Sequence, residues 1–195
     1  MKNIPFLFLF VFSNVLYCQL SDHFSTTKLE FNEVWLGDTS QFEVVGGRLQ
    51  MNADKTETEV VVFREFHDTV RLDLEFNVSL DFSPSVSNRL RLFLTEDSLR
   101  TRGYLLEIGE TGSNDNVKCY EVNEGKRRLL AEGIDARFST SFQDVKIQFS
   151  VKDSLTLISQ LDNDSVLEFT VFNNSQFKLR YFSVLCKYTS TRSDK

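Results

Sequence analysis

Hydrophobic and polar residues alternate without interruption over residues 70–82. In this stretch seven apolar side chains are separated by six polar ones. A period of two residues is typical of a β-strand with one dry face and one wet face. At about 3.3 Å per residue, the thirteen residues of this stretch would span roughly 40 Å. We therefore expect a long strand inside a large antiparallel sheet.

Gly46 and Gly47 give the strongest short-range hairpin signal in the chain, because two glycines between alternating segments favour a tight turn. The flanking segments are residues 42–45 and 48–51. Trp35, the only tryptophan, precedes them in a Trp-Leu-Gly-Asp-Thr sequence and is expected to be a buried anchor. The side chains expected on the core face of the hairpin are Phe42, Val44, Leu49 and Met51.

Most of the remaining chain alternates in the same way, with short polar turns between the segments. Residues 178–188 are apolar on both faces, which predicts a strand at the centre of a sheet. About eleven or twelve strands and almost no helical periodicity predict an all-β fold, a two-sheet antiparallel β-sandwich. A closed barrel fits the varied strand lengths less well. The other predicted strands are residues 59–63, 88–94, 103–108, 116–122, 126–130, 145–151, 155–161 and 166–172.

The first eighteen residues differ from the rest. Lys2 precedes an apolar run at residues 4–12, and a more polar segment begins at Ser13, which together predict a signal peptide over residues 1–18. Residues 19–195 contain no linker-like run and are expected to form a single domain. No later segment approaches the roughly 18 consecutive apolar residues of a membrane helix. We therefore expect a secreted protein without a transmembrane segment.

The charge of the chain bears on its partners. The chain has 195 residues, of which 41% are hydrophobic, enough for a sizeable core. Without residues 1–18 it has 21 basic and 28 acidic residues, a net charge of −7. Nucleic-acid-binding proteins normally show a basic face. The net charge therefore argues against a nucleic-acid partner.

The three cysteines allow alternatives. Cys18 follows Leu16 and Tyr17 in a sequence that loosely resembles a lipidation site, but bulky Tyr17 stands where such sites carry a small residue. We expect cleavage after Cys18 rather than lipidation of Cys18. Cys119 and Cys186 would then form a disulfide bridge in an oxidising compartment or remain as two buried free thiols.

Several segments together resemble a known family. They are residues 35–42, 46–52, 80–85 and 103–109, and the closing Cys-Lys-Tyr-Thr-Ser-Thr-Arg-Ser-Asp-Lys of residues 186–195. In this order they look like the N-terminal domain of large secreted Bacteroidota surface proteins of the lamin-tail-domain or gliding-associated type. The resemblance covers nearly all of residues 19–195 and implies a concanavalin/laminin-G-like jelly roll.

The resemblance also bears on the end of the chain. In that family the segment corresponding to residues 192–195 is followed by one more aromatic-rich strand, then by further modules and a secretion-sorting tail. We therefore expect either a short relative or a fragment that lacks its last strand. A sheet without that strand would have an unpaired edge, so we expect marginal stability or self-association.

Candidate catalytic and metal-binding residues are few. His23 and His67 are the only histidines and lie far apart, which argues against a zinc site or a Ser-His-Asp triad. Asp73 and Glu75 have the alternating spacing of jelly-roll glycosidase acids, although Arg71 continues the same polar row and favours a solvated face. No cofactor is expected. The acidic loops at residues 114–116 and 162–164 leave Ca²⁺ as an alternative to ordinary turns.

Two further groups of residues are candidates for ligand binding and modification. Arg89 and Arg91, with Tyr104 on a nearby predicted strand, would form a platform for a sugar or a partner, and a charged solvent face is the alternative. The family resemblance implies O-glycosylation at Asp-(Ser/Thr)-aliphatic sequences, where ordinary turn chemistry is the alternative. Those sequences place the modified side chains at Thr69, Ser98, Ser154 and Ser165.

These observations predict a secreted, non-catalytic recognition or adhesion module at the cell surface, with carbohydrate or a cell-surface polymer as its partner. Two rival interpretations remain. One is a jelly-roll glycoside hydrolase, and the other is a structural spacer domain in a larger surface protein.

Overall fold

The computed structural model describes residues 18–19, 34–55, 58–69, 72–80, 84–109, 116–133, 145–151, 154–161, 164–172 and 177–189. Of β1, β12 and β13 the backbone alone is described. Within these ranges one short 3-10 turn, Thr39–Gln41, accompanies the strands. The strands are β1 (Cys18–Gln19), β2 (Trp35–Gly37), β3 (Phe42–Val45), β4 (Arg48–Met51), β5 (Thr58–Thr69), β6 (Leu72–Val78), β7 (Arg89–Thr95), β8 (Arg102–Ile108), β9 (Val117–Asn123), β10 (Lys126–Glu132), β11 (Val145–Val151), β12 (Ser154–Leu161), β13 (Asp164–Phe172) and β14 (Leu179–Tyr188).

The strands form two large sheets and one separate hairpin. The five-stranded sheet has the order β1-β6-β11-β12-β13, and the seven-stranded sheet has the order β10-β9-β8-β7-β14-β5-β2. β3 and β4 form the hairpin. All described strand pairs are antiparallel except β1 with β6. The predicted all-β sandwich is therefore confirmed, and no helix in the described ranges is long and apolar enough to cross a membrane.

Strand β6 is shorter than the alternation predicts. It ends at Val78, and although Leu80 continues the pattern and is buried, it is not part of the strand. β6 pairs residue for residue with the seven residues of β11, from Leu72 opposite Val151 to Val78 opposite Val145. The prediction of a thirteen-residue strand was wrong because the length of the paired partner, and not the alternation alone, determines where the ladder ends.

The main core lies between the two large sheets. β6 and β11 contribute one wall, including Leu72 and Phe149, and β7, β8, β9 and β14 contribute the other. Tyr104 is 2% exposed and packs at 5.8 Å from Phe149 and 5.3 Å from Phe177, measured between ring centroids. Apolar burial on this scale is the dominant favourable term in folding.

The predicted hairpin and its anchor are confirmed. Phe42 pairs with Met51, and both are buried in a second cluster with Trp35. Asp38, just after β2, connects this region to the seven-stranded sheet. Its backbone N–H donates to the carbonyl of Val61 at 2.8 Å, and its carboxylate accepts from the N–H of Val61 at 2.9 Å.

Strand β14 lies between β7 and β5, as its two apolar faces predict. Its inward side packs in the main core, where Val184 and Cys186 contribute. On the opposite side, Leu185 belongs to a third buried cluster with Phe93, Leu105 and Val122. The seven-stranded sheet is therefore dry on both faces near its middle.

The face assignment of β11 can be tested by mutation. Phe149→Ala removes a fully buried ring and should lower the free energy of unfolding by about 3–5 kcal/mol. Gln148→Ala, one residue earlier, should change it by no more than about 0.5 kcal/mol, because Gln148 points away from the core. Urea unfolding of both variants provides the comparison, and equal effects would contradict the described register.

Candidate functional site

The outer face of the seven-stranded sheet, which points away from the five-stranded sheet, carries a cluster of charged residues. Strand pairing places Arg91 directly opposite Glu107, and Glu107 directly opposite Lys118. Arg89 lies two residues from Arg91 on the same face of β7. Arg127 comes from β10 and has β9 between its strand and that of Glu107. We call Arg89, Arg91, Glu107 and Arg127 the Glu107 cluster.

All three arginines contact the same oxygen of Glu107. Nε of Arg91 donates to Oε2 at 2.6 Å, and Nη1 of Arg127 donates to it at 3.3 Å. Nη1 of Arg89 lies 3.3 Å from the same oxygen. A second ion pair joins Nη1 of Arg91 to Oε1 of Glu59 at 3.2 Å. Charge-assisted hydrogen bonds of this kind hold planar guanidinium groups in defined orientations.

The sequence of β8 explains how Glu107 reaches this position. Alternation places Tyr104, Leu106 and Ile108 on the core face, so Leu105 and Glu107 face outward. Gly109 follows the strand with φ of +122°, and a Cβ there would lie 2.7 Å from the Cβ of Arg89. Glycine at this position therefore leaves the space in which Arg89 packs.

Glu107 is a buried carboxylate that stays ionised. Its side chain is 9% exposed, and such burial by itself would raise the pKa of a carboxyl. The hydrogen bond and charge of Arg91, with the charges of Arg89 and Arg127, outweigh the burial and hold the pKa of Glu107 below its ordinary value. The group therefore carries its negative charge at neutral pH.

Apolar and aromatic side chains lie next to the Glu107 cluster. Phe93 and Leu105 are buried on the outer face, Tyr120 packs against them, and the guanidinium carbon of Arg100 lies 5.8 Å from the centroid of the Phe93 ring. Tyr120 is opposite Leu105 in the ladder, so it is a neighbour of Glu107 across the strands. The face thus combines oriented hydrogen-bond donors with a partly exposed aromatic ring.

The predicted platform of Arg89, Arg91 and Tyr104 is wrong in one of its three residues. Arg89 and Arg91 lie together on the outer face, but Tyr104 lies on the core face of β8. The pairing of β7 with β8 places Tyr104 opposite Leu94, whereas Glu107 is opposite Arg91. The residues missed from the sequence are Glu107 and Arg127. Glu107 could have been recognised from the sequence, because it is the one carboxylate within the apolar run of β8.

Asp73 and Glu75 lie on the exposed face of β6, as the polar row predicts. The hydroxyl of Ser150 donates to Asp73, and Nε2 of Gln148 donates to Glu75 at 2.8 Å. Hydrogen bonding from Gln148, followed by Lys146, lowers the pKa of Glu75. The general acid of a glycosidase requires a raised pKa, so Glu75 is not suited to the role of proton donor.

The predicted alternative of a disulfide between Cys119 and Cys186 is wrong, because both thiols are free. Cys119 is in β9 and Cys186 is in β14, with β8 and β7 between them. Three steps of about 4.8 Å separate the two strands, well beyond the Cα separation that a disulfide bridges. Burial raises the pKa of each thiol to about 12, so both remain protonated at neutral pH.

The calcium alternative stays a prediction. Within the described ranges no three His, Cys, Asp or Glu side chains come together to hold a metal ion. Residues 114–115 and 162–163 lie outside those ranges. The buried Oδ1 of Asn116 has no hydrogen-bond partner among the described residues, but Ca²⁺ takes six to eight oxygens in most proteins, and one oxygen does not make a site.

The remaining predicted residues are partly described. Ser98 lies in the turn between β7 and β8, beside Leu99, which is exposed. Thr69 ends β5, Ser154 begins β12, and Ser165 is the second residue of β13, all with side chains outside the description. Glycosylation at these four positions stays a prediction.

His23, residues 1–17 and residues 190–195 lie outside the described ranges, so signal cleavage and the missing last strand stay predictions as well.

Solved structures with a similar fold are found over most of the chain. The Emp47p carbohydrate recognition domain is similar with a TM-score of 0.63 and 15% identity, covering 90% of this chain and 91% of that one. The VIP36 exoplasmic/lumenal domain bound to Ca²⁺ and Man3GlcNAc has a TM-score of 0.58 and 14% identity, covering 80% and 78%. A carbohydrate binding module, CBM66 of Bacillus subtilis, has a TM-score of 0.54 and 13% identity, covering 80% and 92%.

These similarities establish the fold class. The chain has a concanavalin-like jelly-roll fold. The expectation drawn from the family resemblance is thereby confirmed for the fold. No protein-family model matches the sequence, and no curated protein matches it significantly.

The ionised Glu107 should make the fold sensitive to acid. Because its folded-state pKa is lowered, Glu107 stabilises the fold above its ordinary pKa, and this stabilisation is lost as the pH falls through the lower folded-state value. Glu107→Gln should lower the free energy of unfolding at pH 7 by about 2–3 kcal/mol, somewhat less than for a fully buried pair. The difference from wild type should narrow below about pH 4.3.

Urea unfolding between pH 7 and pH 3 measures this difference. Glu65→Gln is the matched control, because Glu65 also pairs with an arginine, Arg180, but is 45% exposed. It should change the free energy of unfolding by less than about 1 kcal/mol. A Glu107→Gln effect that stays constant down to pH 3 would contradict the described electrostatics.

Proposed function

We propose that the protein is a non-catalytic carbohydrate-binding module and that it binds glycans on the outer face of the seven-stranded sheet. The likeness in fold to the Emp47p carbohydrate recognition domain and to the Bacillus subtilis module supports the class of ligand. The observation that carries the assignment to this face is the Glu107 cluster, which three different strands build beside Tyr120.

The chemistry of this face suits sugar recognition. A sugar presents hydroxyl groups along its edges and an apolar ring face, so its binding sites pair oriented polar groups with an aromatic surface. Guanidinium groups held by Glu107 are oriented before a ligand arrives, which lowers the entropic cost of binding. Tyr120, which is only partly buried, supplies an aromatic ring beside these groups.

The charge states of Glu107 and Glu75 do not suit the proton donor of a glycosidase. A glycosidase requires one protonated acid and one ionised partner on either side of the scissile bond. Glu107 is held ionised by arginines, and Glu75 has a lowered pKa. In this proposal neither acts as a proton donor.

The same proposal includes the location of the protein. The predicted signal peptide of residues 1–18 would direct the module out of the cytoplasm. The VIP36 domain with a similar fold is described as exoplasmic or lumenal. We infer that the module acts as a secreted or surface-bound recognition or adhesion domain, in keeping with the resemblance to Bacteroidota surface proteins.

Binding and turnover can be measured on the same sample. The wild-type protein should bind glycans on an array and release no reducing sugar from those it binds. Tyr120→Ala should weaken this binding by about tenfold or more, which corresponds to about 1.4 kcal/mol. Gln148→Ala is the control on the outer face of the other sheet and should leave binding unchanged.

Two other outcomes identify the rivals. Release of reducing sugar, abolished by Asp73→Asn or Glu75→Gln, would overturn the proposal in favour of a glycoside hydrolase. Absence of both binding and turnover with a correctly folded protein would favour the structural spacer.

A further inference from the structure

The part of the outer face around the Glu107 cluster has a charge opposite in sign to that of the whole chain. Its described residues around the Glu107 cluster include five basic and three acidic side chains, a local charge of +2 in a chain whose net charge is −6. The basic residues are Arg89, Arg91, Lys118, Arg127 and Lys187, and the acidic residues are Glu59, Glu107 and Glu132.

The internal ion pairs do not use all of this positive charge. Lys118 is paired with Glu132 at 3.3 Å, and Arg91 joins Glu59 to Glu107. Among the described residues, Arg89 and Arg127 form ion pairs with Glu107 alone, so the three arginines of the cluster share two carboxylates, Glu59 and Glu107. A site that holds more guanidinium groups than carboxylates attracts anions, and low-dielectric surroundings strengthen that attraction.

Arg127 is the most accessible member of the cluster. Its side chain is 38% exposed, compared with 13% for Arg89 and 14% for Arg91. Only its Nη1 contacts Glu107, and its Nε and Nη2 have no hydrogen-bond partner among the described residues. Two donors of one fork, Nε and Nη2, match the two oxygens of a carboxylate or of a sulfate. Arg127 can therefore bind an anion while keeping its contact with Glu107.

We propose that the ligand of this face is an acidic polysaccharide, and that its carboxylate or sulfate groups bind to the Nε and Nη2 atoms of Arg127. The inference rests on the proposed function and adds the chemical class of the glycan. Arg89 and Arg91 are positioning residues, since they surround Glu107 and fix the carboxylate that orients Arg127.

The chain provides a matched pair of variants for the test. Arg127 and Arg128 are neighbours in β10 and point to opposite faces, and Arg128 pairs with Glu121 at 2.7 Å on the other side. Arg127→Gln and Arg128→Gln remove the same charge from the same strand. They differ in the face that loses it and in the carboxylate that loses a partner, Glu107 or Glu121.

Calorimetric titration of the full chain uses three polymers: polygalacturonate for carboxylates, dextran sulfate for sulfates, and dextran as the neutral polymer. Wild type should bind at least one of the acidic polymers, more weakly as salt is added, and the preferred acidic polymer identifies the anionic group. Arg127→Gln should weaken that binding at least about tenfold, which corresponds to about 1.4 kcal/mol. Arg128→Gln should leave it within about twofold, and both variants should melt within a few degrees of wild type.

The other outcomes separate this inference from the proposed function. Equal weakening by both variants would show unspecific attraction to a polyanion and overturn the inference. Binding of neutral glycans only, whether on dextran or on the array, would overturn the inference and leave the carbohydrate-binding function intact. A folded protein that binds no glycan of either kind would overturn both.

Discussion

Leu105 and Leu185 are buried on the face of the seven-stranded sheet that points away from the core, and this burial constrains the rest of the face. A sheet that packs on one side usually leaves its other side wet. Here the strand between β7 and β5 is apolar on both sides, so the centre of the outer face is dry as well. A carboxylate beside such a surface loses hydration, which is costly unless opposite charges surround it. The three arginines around Glu107 meet that requirement, and their positive charge exceeds the negative charge of Glu107.

Structure and proposed function are connected through this one carboxylate. Glu107 draws guanidinium groups from two strands of the sheet into fixed positions above apolar side chains. Guanidinium groups held in this way are oriented before any ligand arrives, and preorganised groups lower the entropic cost of binding. On β6 and β11, the strands of the five-stranded sheet whose side chains are described, no comparable arrangement occurs. The exposed carboxylates on β6 are satisfied by Ser150, Gln148 and Lys146 on the neighbouring strand.

Much of the fold could be predicted from alternation and turn chemistry. The hairpin at Gly46 and Gly47, the buried Trp35 and the central position of residues 179–188 all follow from local patterns that the tertiary structure does not override. The length of β6 could not be predicted, because its ladder ends where β11 ends. Alternation within a strand shows which of its residues share a face. Only the pairing between strands shows which side chains of neighbouring strands lie beside each other.

That limit explains the errors about the site. Tyr104 and Glu107 are both in β8, but their side chains lie on opposite faces of the strand. Pairing with β7 places Glu107 beside Arg91. Arg127 reaches Glu107 across an intervening strand, a contact between residues 20 apart in sequence.

The most direct test of this account is an NMR titration of the side-chain carboxyl carbon of Glu107, assigned with Glu107→Gln. A midpoint below the ordinary value of about 4.3 is predicted, and a midpoint at or above it would contradict the claim that the three arginines stabilise the charge of Glu107 more than burial opposes it.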